Sequence, residues 1–290
     1  MRLPRRASVA FLLAVTSAPL MAQSDSASRA WNKPVAPFRI LDNLYYVGAR
    51  EITSFLVTTP AGHILIDGGF VETAPQIEAN IRTLGFDPKD IRVLLNTQAH
   101  FDHAGGLARL RELTGAALYA SPADAELMAR GGRGDFGFGD RFPYPPVRAD
   151  SLLRDGQAIT LGGARLVARF TPGHTKGCTT FTADLPDGRA VRHVVFVCSL
   201  TAPGYRLTNN AEYPSILQDY QRSIAFVRRL PCDVLLASHG SFFDLEGKRS
   251  KLEAERAAGK NPFVQAGECR ALADRAEASL RATVQREQGS

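Results

Sequence analysis

Between Asn96 and Gly106 the chain reads NTQAHFDHAGG, which places Gln98, His100, Asp102 and His103 within six residues. Two more histidines occur far downstream in short turns, His174 in TPGHTKG and His239 in LLASHGS. The chain has six histidines, and four of them fall in these three segments; His63 and His193 lie in apolar, strand-like runs. A lone histidine is ordinarily a packed or surface residue. Imidazoles and a carboxylate at close spacing, completed by ligands from remote loops, form the donor set of a catalytic zinc site. In an extended chain alternate side chains share a face, so Gln98 and His100 are expected to meet one metal, and Asp102 and His103 a neighbouring one. Zinc acidifies bound water, so the chemistry such a site points to is hydrolysis.

These donors need rigid elements behind them. IRVLLN, ending at Asn96, is a continuous apolar run that reads as a buried strand delivering the chain to the ligand cluster. Gly105 and Gly106 are expected to let the backbone turn tightly into the next helix. His174 follows a strand through Pro172 and Gly173, and His239 follows the apolar run DVLLAS. Upstream, NLYYVG, SFLVTT and HILIDGG are short β runs, with a hairpin at Pro60 to Gly62. A helix is predicted from about Val71 to Leu84, stopped by Gly85. Ser121, Pro122 and Asp124 open another, as N-cap, first-turn proline and dipole-facing acid. ARLVARF, CTTFTADL and RHVVFVC are a second set of strands. Pro214 opens a helix reaching about Leu230, and the tail from Cys269 to Gln285 reads as a helix. The segment Gly131–Asp150, rich in glycine, proline and aromatics, reads either as a functional lid or as a mobile surface loop. Two β-rich halves, each followed by helices, predict an α+β fold: a four-layer αββα sandwich. There is no clear sequence repeat.

Composition sets the class. With 290 residues and 44% hydrophobic content, the chain can bury a sizeable core in one domain, expected over residues 37–290. Arg2, Arg5 and Arg6 precede an apolar run from Ala7 to Val15 and a small residue at Ala22, the pattern of a secretory signal cut after Ala22. The run is too short to span a membrane. Residues 23–36 then form a flexible arm. Losing the three arginines lowers the formal charge from +6 to +3, and no basic cluster interleaved with aromatics appears, so nucleic acid is not an expected partner. The four cysteines, Cys178, Cys198, Cys232 and Cys269, suggest two disulfides in an exported chain. Three pairings are possible, and no Cys-x-x-Cys pair suggests a thiolate zinc knuckle.

Together HFDHAGG, ILIDGG, TPGHT and SHG resemble the metal-binding signature of the metallo-β-lactamase superfamily, over nearly the whole chain from about Leu41 to His239. The superfamily hosts hydrolases of lactams, lactones, thioesters and phosphodiesters, so fold alone does not name the substrate. Two departures narrow it. Many of these hydrolases carry a metal-bridging aspartate at the end of the strand after TPGHT; here Cys198 and Ser199 stand in that place. CSLTAPGYRL is similar to the corresponding loop of the third subclass of zinc β-lactamases, and Gln98 replaces the usual first histidine, as in a variant group of that subclass. The resemblance implies two zinc ions, one held by Gln98, His100 and His174 and one by Asp102, His103 and His239. An amide oxygen is a weaker zinc ligand than imidazole, so the first site should bind less tightly. It further implies that Cys198 is structural and bonded to Cys178, with Cys232 and Cys269 forming the second bridge. Asp67 would steady the ligand loop from behind. Ser199 and Thr201 would bind the substrate carboxylate, Tyr205 would donate to the developing oxyanion, and Phe136 and Phe138 would cover apolar substituents. Lys176 and Arg206 would add positive potential. Asp102 would ligate the second ion and help orient the zinc-activated hydroxide. The implied substrates are small-molecule β-lactams (penicillins, cephalosporins, carbapenems), hydrolysed by a periplasmic monomer.

Two other readings compete. One is a zinc lactonase or thioesterase of the same fold, which a direct assay on lactone and lactam separates. The other is a periplasmic binding or scaffold protein whose metal site has decayed at Gln98; such a protein should purify without zinc.

Overall fold

The structure, a computed structural model, describes residues 28–289; the signal-like segment 1–22 lies outside them. The first sheet is built from β1 (Phe38–Leu41), β2 (Leu44–Tyr46), β3 (Phe55–Thr59), β4 (Gly62–Ile66), β5 (Ile91–Leu95), β6 (Ala117–Ala120) and β7 (Ser151–Leu152), paired in that order. β1 to β4 form an antiparallel meander, and β4 to β7 are parallel. The parallel part needs crossovers. These are supplied by α1 (Ala74–Thr83), by α2 (Phe101–Ala104) with α3 (Leu107–Thr114), and by α4 (Pro122–Ala129).

The second sheet contains β8 (Ala158–Leu161), β9 (Ala164–Phe170), β10 (Thr179–Asp187), β11 (Ala190–Val197) and β12 (Val234–Ala237), in the order β12-β11-β10-β9-β8. β8 to β11 alternate in direction, and β12 runs parallel to β11 after α5 (Ile216–Arg229). α6 (Leu245–Ala257) and α7 (Glu268–Gln288) complete the chain. Among the described residues no helix is long and apolar enough to cross a membrane.

Alternation along the strands explains the layers. Phe55, Val57, Ile64, Ile66, Val93 and Leu95 face Leu166, Phe181 and Phe196 of the other sheet in one apolar cluster, with Phe55 edge-on to Phe196 at 5.4 Å. The intervening residues Leu56, Leu65 and Leu94 turn the other way, onto Ile77 and Ile81 of α1 and Leu107 and Leu110 of α3. Strands buried on both faces read as unbroken apolar runs, and every residue of β4 is buried. The result is the mixed α/β sandwich that the element order predicts. Two disulfides clamp it, Cys178–Cys198 beside β10 and β11, and Cys232–Cys269 between the end of α5 and the start of α7. This is the pairing the resemblance implied.

Three features differ from the expectations. The ligand cluster is not one extended loop: Asp102 and His103 sit on the single helical turn α2, capped by His100. Residues 28–36 are not a free arm. A helical turn at 28–31 is followed by backbone bonds in which Arg50 and Glu51 donate to the carbonyls of Lys33 and Trp31. Thr73 also donates its hydroxyl to Asn32 at 2.6 Å. Finally, α6 had no clear apolar period and was not anticipated. Its buried residues are only Leu245, Lys248 and Leu252, too sparse a stripe to stand out in sequence.

Strand direction assembles the site. β9 and β11 both run antiparallel to β10, and β12 is parallel to β11. The carboxyl ends of β9, β11 and β12 therefore emerge at one edge. Ligands in open parallel sheets gather at such ends.

Candidate metal centre

Each ligand segment leaves the carboxyl end of a strand. Gln98, His100, Asp102 and His103 follow β5, His174 follows β9, and His239 follows β12. The turn after β5 is held by backbone interlocking. Gly68 donates its amide to the carbonyl of His103, and Gly106 donates to Gly69. A Cβ on Gly106 would lie 2.2 Å from the Gly68 carbonyl oxygen. Gly105 and Gly106 have ordinary negative φ values, so glycine is needed here for close approach and not for the backbone angle. Asp67 occupies the left-handed region at φ 61°, a conformation uncommon outside glycine. Its carboxylate accepts from the Asn96 side-chain amide, the Thr97 amide and the Thr97 hydroxyl, at 3.1, 2.8 and 2.6 Å. The aspartate thus pins the exit of β5.

The four histidines meet in pairs. His100 Nδ1 lies 3.1 Å from His174 Nε2, and His103 Nε2 lies 3.4 Å from His239 Nε2. Asp102 Oδ2 stands 3.5 Å from His103 Nε2 and 3.4 Å from His239 Nε2. Candidate ligand atoms of Asp102, His103 and His239 all fall within 4.8 Å of one another.

A carbonyl or carboxylate oxygen stands behind every ring. His174 Nδ1 faces the Thr201 carbonyl at 2.8 Å, His103 Nδ1 faces Asp67 at 3.6 Å, His239 Nδ1 faces Glu51 at 3.5 Å, and His100 Nε2 faces Asp135 at 3.6 Å. The Thr201 carbonyl places the His174 ring proton on Nδ1, which leaves its Nε2 with a lone pair aimed at His100. A proton or a metal ion satisfies that lone pair. Gln98 is fully buried, and neither of its amide atoms has a protein partner. A buried unpartnered amide is costly unless something else satisfies it. The donor set fits divalent metal with nitrogen and oxygen preference.

The two triads differ in charge. Burial pulls His103 down, but the carboxylates of Asp102 and Asp67 outweigh it and hold the imidazole at about 10. Burial likewise opposes the charge on Asp102, yet His103 and His239 keep it well below the usual carboxylate range. His239 is lowered by burial and raised, on balance, by Asp102 and Glu51. His174 moves the other way: burial, reinforced by His100, holds it well below the ordinary imidazole value.

Around these groups lies a cleft of about 480 Å³, lined by the aromatic rings of Trp31, Phe242, Phe101, Phe138 and Phe142. Trp31 stands edge-on to His239 at 5.4 Å. A larger polar groove of about 710 Å³ beside Arg39 and Arg256 contains none of the ligand residues.

Residues 47–239 match the metallo-β-lactamase superfamily. The chain belongs to that superfamily. A metallo-β-lactamase of Cronobacter sakazakii with a HARLDQ motif is 42% identical, with a TM-score of 0.86 over 91% of this chain and 100% of that one. BJP-1, a subclass B3 metallo-β-lactamase of Bradyrhizobium japonicum, is 33% identical, with a TM-score of 0.85 over 91% of this chain and 98% of its own. The N-acyl homoserine lactonase AttM of Agrobacterium fabrum is 30% identical over 47% of this chain, and the match spans 60% of the lactonase's length.

Within this metallo-β-lactamase fold, the residues expected to touch substrate divide. Thr201 and Phe138 line the cleft. Ser199 is buried one step behind, its hydroxyl 3.1 Å from that of Thr201. Phe136 packs edge-on against Tyr205 and Tyr213, at 4.9 Å from each, and does not line the cleft. Tyr205 departs from its expected oxyanion role. Its ring is buried with Phe136, and its hydroxyl donates to the carbonyl of His174 at 3.2 Å, so it supports that ligand from behind. Lys176 donates to the Glu212 carbonyl and Arg206 to that of Thr208. Neither lines the cleft; the cation that does is Arg141, over the Phe142 ring at 5.0 Å. His63 packs edge-on to Phe86, and His193 pairs with Asp184 at 2.7 Å.

Several contributors escaped the sequence reading. Glu51 stands behind His239; its pKa is lowered because His239 and Ser241 outweigh the opposing effect of burial. Asp124, read as a helix-start acid, is fully buried. It accepts from the amides of Ala99 and Gly177 at 3.0 Å each and from the Thr175 hydroxyl at 2.9 Å. It therefore ties the first ligand segment to the His174 loop, while burial pushes its carboxyl up to about 6 against those bonds. Asp135 and Trp31 had no signal beyond their setting: an aspartate among glycines marks a turn, and a tryptophan in an arm marks nothing specific.

Proposed function

We propose that this chain is a zinc-dependent β-lactamase that hydrolyses the amide bond of β-lactam antibiotics. The observation that carries the reading is coverage: likeness to a metallo-β-lactamase extends over 91% of this chain and all of that protein, whereas the lactonase match extends over 47% of the chain. Cys198 supports it, since its sulfur is bonded to Cys178 and cannot serve as a thiolate ligand.

In this reading Gln98, His100 and His174 hold one zinc ion, and Asp102, His103 and His239 hold a second. Bound zinc supplies Lewis acidity, which acidifies water and polarises the lactam carbonyl. The chain's own residues do the rest. Asp102 orients the attacking water through its free acceptor capacity. Thr201, backed by Ser199, offers a hydroxyl to the substrate carboxylate. Phe138, Phe142, Trp31 and Phe242 line the cleft and exclude water from apolar substituents. The Thr201 carbonyl and Glu51 fix the tautomers of His174 and His239. A periplasmic location belongs to the same reading, supported by the signal-like pattern of residues 1–22 and by two disulfides, which persist in oxidising compartments.

The test is hydrolysis of a carbapenem, a cephalosporin and an N-acyl homoserine lactone by purified protein, before and after chelation and after zinc is restored. Chelator-sensitive, zinc-restored turnover of the lactams is expected. Turnover of the lactone alone by zinc-loaded, folded protein would move the assignment to a lactonase.

A further inference from the structure

Asp135 is buried in the Gly131–Asp150 loop and uses its two carboxylate oxygens in opposite directions. Oδ1 accepts from the amides of Gly137 and Phe138, at 2.8 and 2.7 Å, and shapes the loop. Oδ2 stands 3.6 Å from His100 Nε2, an atom with no hydrogen-bond partner of its own. Asp135 and Gly139 also exchange backbone hydrogen bonds in both directions, closing the turn around Phe138. The Phe138 ring then packs on the His100 ring with centroids 4.9 Å apart, and continues the aromatic wall to Phe142 at 5.4 Å. Farther along the loop, Tyr144 donates its hydroxyl to the Ala99 carbonyl, beside His100. Loop and ligand segment are thus joined at consecutive residues.

We propose that Asp135 is a positioning residue that makes the first metal site and the aromatic wall of the cleft one energetic unit, so that metal at His100 orders the Phe138 turn and the ordered turn strengthens metal binding. This rests on the two-site reading above. The physical reason lies in the ligand charges. Gln98, His100 and His174 are neutral donors, so the first site has no anion of its own. A carboxylate behind His100 orients the ring towards the metal and brings the negative charge the donors lack. Its other oxygen gathers two loop amides, so the position of the carboxylate is shared between ring and loop. Any change that favours one arrangement must favour the other by the same factor, because binding linkage is reciprocal.

Asp135→Asn separates the two jobs. Its amide oxygen can still accept from Gly137 and Phe138, but an NH2 group would meet the His100 Nε2 hydrogen. Asp135→Ala removes both. Stepwise zinc affinities are measured by competition with a chromophoric chelator for the wild type, both variants and Gln98→Ala, whose weakened step identifies the first site. Amide hydrogen exchange of residues 137 and 138 is followed with and without zinc, and thermal melts check folding. First-site affinity should fall about 10- to 100-fold in Asp135→Asn, with the second site unchanged. Zinc should slow exchange at 137 and 138 in the wild type and lose that effect in both variants. A merely structural role would alter exchange and melting but leave the first-site step intact, and that result overturns the proposal alone. A wild-type chain that binds one zinc ion only would overturn the two-site reading, and this proposal with it.

Discussion

Asp102, His103 and His239 bring a negative charge and hold protons against burial, whereas Gln98, His100 and His174 are neutral donors with a pKa pressed downward at His174. The surroundings follow the same division. Carboxylates of Asp67 and Glu51 stand behind His103 and His239; a backbone carbonyl stands behind His174, and the loop aspartate Asp135 behind His100. On the two-site reading proposed above, one triad would bind metal by exchanging protons for it, and the other through neutral donors. Two sites on one cleft can differ in affinity and pH response without differing in geometry class.

The comparison is most exposed to loss of the charged ligand. Asp102→Ala should lower kcat/KM for β-lactams by about 10³-fold or more, since metal chemistry contributes several kcal/mol and each 1.4 kcal/mol is tenfold. Gln98→Ala should lose only about tenfold, because the amide is the weakest donor. Equal losses in steady-state assays would break the contrast. Both triads depend on the backbone interlock below them, so Gly106→Ala, with its Cβ 2.2 Å from a carbonyl oxygen, should destabilise the protein by about 3 kcal/mol in denaturant titration.

Proton linkage sharpens the difference next. His103 sits above its ordinary value in the folded, metal-free chain, so its contribution to stability is fully present below about 6.5 and fades as pH rises towards about 10. Melts of chelated protein should show Tm falling across that window. Zinc-loaded protein should lack that dependence, because the proton has been displaced. The smallest effect concerns Gln98→His, which should tighten first-site zinc about tenfold by supplying nitrogen in place of an amide oxygen. Chelator competition measures this; unchanged affinity would mean that the amide is not what weakens the site.

Much of this was legible without coordinates. The strand IRVLLN reads as buried because all of it but Arg92 is, and Gly85 and Pro122 mark real helix boundaries. The convergence of the candidate donors was legible too, since four histidines fall next to turn residues at strand ends. A sequence shows the Tyr205 hydroxyl but not which acceptor is nearest; packing with Phe136 places it on the His174 carbonyl. Lys176 and Arg206 were placed near substrate on charge alone, while local carbonyls claimed both.

Local chemistry therefore determined the donor set, the strands that deliver it and the number of cysteines, because donor type and apolar periodicity are properties of short segments. Tertiary structure decided the rest: which ligands face each other, that Trp31 walls the cleft, and that Asp67, Glu51, Asp124 and Asp135 stand behind the site. Those contacts join residues tens to hundreds of positions apart. Nothing in a short segment encodes them until the two sheets pack and the carboxyl ends of β9, β11 and β12 emerge at one edge.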